Sequence, residues 1–404
     1  MIFRGWIIVA AVHAALFVVF GVAYSFAAFF TSFEREFGAG RGDIGLIFAI
    51  CGFLYFTIGA LTGHWADRFG ARVISLAGIA FLAGGLALAS QARTLNELYV
   101  TYSLGVGLGV GFVYVPVVGA LQPWFVRHRG LASGLAVAGI GLGAIVGPLL
   151  AGLLIPSVGW RSTLLIFAVG ALLVGGFACA LVENSPQRRG FGPDGERAIA
   201  GSPPRQVPRG IDLRAALRER SFWLMYAAIA LSSIGLFVPF VHLLPYARDH
   251  GLSEATGIAL VSLIGVGSMV GRFALAGIAD RLPRRSLLAG IFLGMTAMMG
   301  WWLGATSFAL LALFAAVFGA FYGAYVALGP AIAMDLFGAR SVAGILGALY
   351  TGAGIGNLLG PWLAGLAYDW TRSYTMPIVV GMFFMGLAAG CAYLLARQPS
   401  RALA

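Results

Sequence analysis

The sequence predicts an all-α membrane protein with twelve transmembrane helices in two parallel six-helix repeats. Three observations support this prediction. Of the 404 residues, 60% are hydrophobic and only 10% are charged, whereas soluble domains contain roughly 25% charged residues. The hydrophobic residues form runs of about the 20 residues that a helix needs to cross a bilayer. Two separate segments also recur in the second half of the chain at one constant offset.

Twelve apolar runs can be placed on the chain. In the first half they lie near 6–31, 43–63, 73–92, 97–122, 130–155 and 163–183, and in the second half near 222–246, 258–278, 286–306, 308–333, 342–366 and 375–396. We therefore expect two six-helix halves, 1–183 and 222–404. The polar segment 184–221, rich in Pro, Gly and Arg, predicts a cytoplasmic linker. Asp212 is a predicted N-cap for a short basic helix on the membrane surface.

The internal repeat indicates how the halves are related. "ADRFGAR" (66–72) aligns with "ADRLPRR" (279–285), and "GAIVGPLLAG" (143–152) aligns with "GNLLGPWLAG" (356–365), both with an offset of 213 residues. Each match falls on the same helix number within its half. The two halves therefore share one orientation, as parallel repeats do.

The arginines predict the orientation in the membrane. All 26 basic residues are arginines. Nineteen of them fall in segments on the side of the two termini, six fall on the opposite side, and Arg272 lies within a span. Because positively charged loops stay in the cytoplasm, we expect both termini to be cytoplasmic and the protein to lie in a bacterial inner membrane.

Three motifs resemble known transporter signatures. "GHWADRFGAR" (63–72) is similar to the signature loop of the major facilitator superfamily. The segments "RHRGLASGLAVAGIGLG" (127–143) and "RGW" (4–6) resemble segments of monocarboxylate transporters. The "RGW" segment lacks the acidic residue that is usual in this signature. The oxalate/formate antiporter branch shares much of this pattern. The resemblance implies the major facilitator fold and transport without a cofactor.

Arg272 is the formally charged residue deepest in any predicted span. Insertion of an arginine at such a depth costs about 2.5–3.5 kcal/mol, so it should face a cavity and meet an anion. No predicted span has an interior carboxylate to pair with it, although a protein salt bridge is the alternative. The guanidinium fork matches a carboxylate, and the resemblance implies that this arginine binds the substrate carboxylate. Because the equivalent residue of the first half is Gly59, one cation suggests a monocarboxylate such as lactate or pyruvate.

Six further residues are predicted to line the substrate path. Ser268 lies one helical turn before Arg272, on the same helix face. Tyrosine hydroxyls can bond to an anion while the ring provides apolar contact. The candidates besides Ser268 are Tyr24, Tyr114, Tyr322, Tyr350 and Asn357; for each, packing in the protein core or between helices is the alternative.

Other polar residues are assigned to coupling and gating. His13 is a possible proton-coupling residue because histidine titrates near neutral pH, although it could equally be a packing residue. Charged residues that recur in both halves predict a network that holds the halves together when the cytoplasmic side closes. Its members are Asp67, Arg68, Arg72, Asp280, Arg281 and Arg285, with simple positive-inside anchoring as the alternative.

The sequence lacks enzyme and nucleic-acid-binding signatures. It contains no HExxH motif, no P-loop and no nucleophile–base set. We therefore expect no enzyme activity, no cofactor, no metal and no nucleic-acid partner. The predicted function is secondary transport of a small monocarboxylate. The expected partners are a proton and membrane lipid, and the expected functional unit is a monomer. Anion exchange and a non-transporting sensor of carboxylic acids are the alternatives.

Overall fold

The computed structural model describes residues 3–186, 192–195, 210–279, 282–338 and 340–398. Apart from one isolated bridge between Gly210 and Gly338, the regular structure in these ranges is helical, which confirms the predicted fold class. The α-helices are α1 Arg4–Tyr24, α2 Phe26–Phe37, α3 Arg41–Phe69, α4 Ala71–Ala89, α5 Leu95–Leu121, α6 Arg129–Gly170, α7 Gly176–Leu181, α8 Leu213–Ala216, α9 Arg220–Leu236, α10 Val238–Asp249, α11 Glu254–Ala279, α12 Arg284–Gly304, α13 Phe308–Phe337, α14 Val342–Thr371 and α15 Thr375–Ala396.

The helices account for the twelve predicted spans. Eleven helical stretches within the described ranges are long and apolar enough to cross a membrane. One of them, 130–181, has 52 residues, which is enough for two crossings at 1.5 Å per residue. It is interrupted at Gly159, where φ is 80°, in the left-handed region that favours glycine. The fifth and sixth spans are therefore joined by a sharp turn.

Equivalent glycines pack equivalent helices in the two halves. On α6, Gly139 lies against the backbone of His13 in α1, and Gly143 lies against Gly21. On α14, Gly352 and Gly356 lie against Ala230 of α9. Each glycine of α6 is 213 residues before its counterpart on α14. The sequence repeat therefore corresponds to one helix–helix contact, used twice, in which the absence of a side chain lets two backbones approach closely.

The halves meet mainly through two pairs of helices, α3 with α14 and α6 with α11, with smaller contacts such as that of α2 with α10. We call the end of the bundle where α1 begins and residues 182–186 lie the linker side, and the opposite end, with the loops 38–40 and 250–253, the far side. Gly45 lies against the carbonyl of Pro361, and Gly365 against the backbone of Arg41. These contacts join α3 and α14 in their far-side portions, so the far side is closed.

The first helix of each half is broken near its middle. The first span is divided between α1 and α2 at Ser25, whose hydroxyl donates a hydrogen bond to the carbonyl of Val22 at 2.7 Å. The seventh span is divided between α9 and α10 at Phe237, two residues before Pro239, which lacks a backbone N–H. Such breaks place irregular backbone beside the binding site of many transporters.

Two aspartates accept backbone hydrogen bonds in the described part of the linker. Asp212 accepts a hydrogen bond from the backbone N–H of Ala215 at 2.7 Å, so the predicted N-cap is confirmed, but α8 has only four residues. Asp194 accepts from the backbone N–H groups of Val126 and Arg127, both at 2.9 Å. Slight desolvation opposes the effect, but these amide bonds lower the pKa of the Asp194 carboxyl. The linker is thus tied to the loop that precedes α6.

Candidate functional site

A cavity of about 340 Å³ lies between the two halves. Its walls include the broken first helix, with Phe20 and Tyr24, and the linker-side ends of α5 and α13, with Gln122 and Pro330. Because the far side is closed and the lining reaches these ends, the cavity opens toward the linker side. Most of its lining is apolar or aromatic, which is typical of a small-molecule site with a few polar groups.

Arg272 contributes the positive charge of this cavity. Its Nη1 donates a hydrogen bond to the carbonyl of Val137, on α6 of the other half, at 3.2 Å. Among the residues that the structure describes, no carboxylate lies within ion-pair distance of Arg272, and its Nε is buried without a hydrogen-bond partner. A partly buried guanidinium that lacks a counter-ion among the described residues has the charge and the free donors to bind an anion.

Four predicted tyrosines line the cavity together with Arg272: Tyr24, Tyr114, Tyr322 and Tyr350. The hydroxyls of Tyr24 on α1 and Tyr322 on α13 share a hydrogen bond of 2.7 Å that joins the halves. Arg272 interacts electrostatically with both of them and with Tyr114. The cavity therefore offers hydroxyl donors and acceptors close to its single described cation.

Ser268 and Asn357 lie outside the lining of this cavity. Ser268 is 2% exposed, and its backbone carbonyl is packed against Gly323 of α13. Asn357 is fully buried where α14 crosses α3; it contacts Gly52 and donates to the carbonyl of Ala49 at 3.2 Å. In this conformation, both side chains lie in helix interfaces and not in the cavity lining. Their contact with substrate stays a prediction.

His13 also lies away from the cavity lining. Its Nδ1 is 2.7 Å from the carbonyl of Leu135, and because a carbonyl only accepts, Nδ1 donates. The bond links α1 to α6 within one half, beside the close approach of Gly139 to the His13 backbone. This geometry fits a packing role, and a coupling role for His13 stays a prediction.

The predicted charge network is not assembled across the halves among its described members. Arg72 donates from Nε to the carbonyl of Val182 at 3.1 Å and approaches Glu183 at 3.6 Å, within its own half. Arg285 donates to the carbonyl of Gln398 at 3.1 Å. Asp67 and Arg68 are exposed on the linker side. The remaining two predicted members, Asp280 and Arg281, lie outside the described residues.

Sequence reasoning missed several residues of the lining. Tyr325 follows Tyr322 by about one helical turn, so the position of Tyr322 could have indicated it. Tyr55 on α3 packs edge-on against Phe20, with ring centroids 6.2 Å apart, and Gln122 ends α5. No sequence pattern distinguishes Tyr55 or Gln122 from the neighbouring residues of their helices.

A second polar group, the far-side cluster, holds the closed far side together. It consists of Arg41, Asp249, Asp369, Tyr374 and His242. Arg41 donates to both carboxylate oxygens of Asp249, at 2.6 and 2.7 Å, and to the hydroxyl of Tyr374 at 3.0 Å. Asp369 accepts from the backbone N–H of Arg41 at 2.9 Å. Arg41 also approaches Glu34 of its own half at 3.5 Å. Because Arg41 belongs to the first half and Asp249, Asp369 and Tyr374 belong to the second, these bonds join the two halves at the far side.

The arrangement supports anion binding rather than bond-making chemistry. Within the described ranges, no group of three or more His, Cys, Asp or Glu residues is placed to hold a metal ion. The cavity combines one guanidinium, several phenol hydroxyls and aromatic walls. These groups can orient a small organic anion by its charged end and enclose its apolar part.

A family model described as Major Facilitator Superfamily matches residues 12–305 and 275–403. Monocarboxylate transporter 3 of Rattus norvegicus is 32% identical over 408 residues, covering 96% of this chain and 80% of the relative. Monocarboxylate transporter 13 of Bos taurus is 29% identical over 392 residues, covering 96% and 88%.

A solved structure has the same fold. It is a bacterial homologue of the human lysosomal transporter Spinster in an inward-facing and unoccupied conformation, with a TM-score of 0.74, 16% sequence identity and coverage of 98% of both chains.

Proposed function

Since this chain belongs to the major facilitator superfamily, we propose that it is a secondary transporter that carries small monocarboxylates, such as lactate or pyruvate, together with a proton. The halves, 1–183 and 222–404, rock about the central cavity, which gives alternating access. The similarity to monocarboxylate transporters over 96% of the chain supports this substrate class.

One observation carries the proposal: Arg272 lines an aromatic cavity and has no carboxylate partner among the described residues. A carboxylate ligand would complete its hydrogen bonding and neutralise its charge. The equivalent position in the first half is Gly59, which also lines the cavity. The site is therefore asymmetric, with one positive end for one carboxylate.

The proposed orientation places the linker side in the cytoplasm of a bacterial cell. Arginines concentrate on this side, and positively charged loops remain cytoplasmic. In this orientation, the conformation described here faces inward. The linker-side network of Asp67, Arg68, Arg72, Asp280, Arg281 and Arg285 would assemble when the cavity opens outward instead.

Coupling to a proton follows from the electrical cost of moving an anion. Inward movement of one negative charge against an inside-negative potential costs about 2.3 kcal/mol per 100 mV. A proton that travels with a monocarboxylate cancels this charge. An exchanger avoids the same cost by returning another anion, so anion exchange remains the second candidate.

Uptake of radiolabelled lactate or pyruvate into proteoliposomes tests this proposal. We expect saturable uptake into empty vesicles that accelerates when the outside is acidified, because the proton gradient then drives the anion inward. An exchanger would take up label only when the vesicles are preloaded with an anion. Binding without any uptake would contradict transport and favour a sensor.

The Tyr24–Tyr322 pair gives a finer prediction for the same assay. Tyr24→Phe should weaken substrate affinity about fivefold, because loss of one hydrogen bond costs about 1 kcal/mol. Tyr102→Phe is the matched control, since the Tyr102 hydroxyl is buried without a partner among the described residues, and its removal should leave affinity unchanged. Equal affinities for both variants would rule out a role for the Tyr24 hydroxyl in binding.

A further inference from the structure

The far-side cluster contains a directed chain of hydrogen bonds that ends on a buried histidine. His242 is 0% exposed, and its Nε2 lies 2.8 Å from the carbonyl of Pro361. Its Nδ1 lies 3.1 Å from the hydroxyl of Tyr374. Tyr374 in turn accepts a hydrogen bond from Nη1 of Arg41 at 3.0 Å. This series of hydrogen bonds therefore runs from Arg41 in the first half, through Tyr374, to His242 in the second half.

The chemistry of the partners fixes the direction of each bond. A carbonyl oxygen only accepts, so Nε2 of His242 must carry a proton. In a neutral imidazole, the other nitrogen is then an acceptor, and Tyr374 donates to it. The lone pairs of Tyr374 remain available to the Arg41 guanidinium. All three bonds are satisfied together when His242 is neutral.

Protonation of His242 on Nδ1 would disrupt this series of hydrogen bonds. A proton on Nδ1 would point at the hydroxyl proton of Tyr374, which would have to turn away inside a site where Tyr374 is only 4% exposed. The imidazolium would also repel Arg41, which already acts electrostatically on His242. Asp369 is the opposing charge that acts on His242, but its two oxygens already accept the backbone N–H groups of Arg41 and Gly42.

We propose that closure of the far side requires a neutral His242, so that His242 binds a proton when the far side opens and releases it when the far-side cluster forms. The proposal rests on the proposed function, because it assigns the proton-linked step of the transport cycle to a residue. It deepens that function by naming a coupling group away from Arg272.

The other ionisable groups around His242 belong to α10 itself and to the elements that pack against it. α2 presents Phe30, whose ring centroid lies 5.8 Å from that of His242. The charged groups of these elements at the far side are Glu34, Arg35 and Glu36 on α2, Arg41 and Asp43 on α3, Arg248 and Asp249 on α10, Glu254 on α11 and Asp369 on α14, with the Tyr374 hydroxyl before α15. Arg41 and Arg248 bond to Asp249 and Glu34, respectively, so most of this charge is already paired.

The test measures far-side opening directly, without substrate. Spin labels at the exposed positions Arg35 and Ala255, one in each half, report the far-side distance by double electron–electron resonance in a variant whose three cysteines are replaced. Histidine titrates near pH 6.5, so acidification from about pH 8 to about pH 5 should raise the ratio of open to closed molecules on the order of tenfold. His242→Gln, which can still donate to Pro361, should abolish this response.

Two further variants make the result specific. His250→Gln removes an exposed histidine on the same side and should keep the full pH response. Tyr374→Phe removes the donor that conflicts with protonated His242, so its pH response should shrink. An unresponsive wild-type protein, or a wild-type response in His242→Gln or in Tyr374→Phe, would overturn the proposal. Because the readout needs no monocarboxylate, failure of the transport assay would not produce any of these outcomes.

Discussion

Arg272→Ala should strongly weaken the affinity for monocarboxylates in the uptake assay while leaving the protein folded. The variant removes the cavity's described cation, and a charge-assisted pair to a carboxylate contributes about 1.5–3 kcal/mol. Affinity should therefore fall about 10- to 100-fold. The fold should survive because Arg272 makes one hydrogen bond to a described residue, the carbonyl of Val137. The measurement is the initial rate of uptake against substrate concentration in proteoliposomes.

Arg272→Lys is the matched control for this experiment. It keeps the positive charge but loses the planar fork that holds a carboxylate by two parallel bonds. We expect an affinity between those of the wild-type protein and Arg272→Ala. If Arg272→Ala kept the wild-type concentration dependence, the substrate would not bind at Arg272, and the assignment of the site would be wrong.

Gly323→Ala should impair both stability and transport. A Cβ atom at Gly323 would collide with the backbone carbonyl of Ser268, one turn before Arg272 on α11. The two helices are in contact along their length, so they would have to separate. Overpacking of this kind costs about 1–3 kcal/mol, and displacement of α11 would also move Arg272. A lower melting temperature and a clearly slower uptake rate should be found together.

Gly290→Ala provides the control, because no atom lies near the position where its Cβ would be. Gly290 belongs to α12, and alanine is favoured over glycine in a helix by about 0.5–1 kcal/mol. This variant should be as stable as the wild-type protein or slightly more so, with normal uptake. Equal melting temperatures for both variants would show that the contact between α11 and α13 tolerates a side chain at Gly323.

The sequence predicted the fold well because its main signals are local or repeated. Apolar runs of spanning length follow directly from the composition of each helix. The offset of 213 residues pairs Gly143 with Gly356, which make equivalent helix contacts in the two halves. The helix breaks at Ser25 and Phe237 were not predicted. Both lie in continuous apolar runs, and the hydropathy of a run does not change where its helix bends.

The candidate site was predicted less completely, since side-chain direction depends on packing between distant segments. Arg272 stood out because a charge in a span is rare. Ser268 shares its helix face, yet the close approach of Gly323 places that part of α11 in an interface. Arg41 precedes the predicted span 43–63 and reads from the sequence as a loop residue, whereas it is 6% exposed and bonded to the other half. Partners more than 200 residues away leave no local signal.

Binding of a monocarboxylate and of its neutral amide to the purified protein tests the central claim most directly. Lactate and lactamide have nearly the same shape, but only lactate carries a negative charge at neutral pH. Isothermal titration should show saturable binding of lactate to the wild-type protein, about 10- to 100-fold weaker binding of lactamide, and equally weak binding of both to Arg272→Ala. Equal affinities of the wild-type protein for lactate and lactamide would contradict the claim that the Arg272 guanidinium recognises the substrate carboxylate.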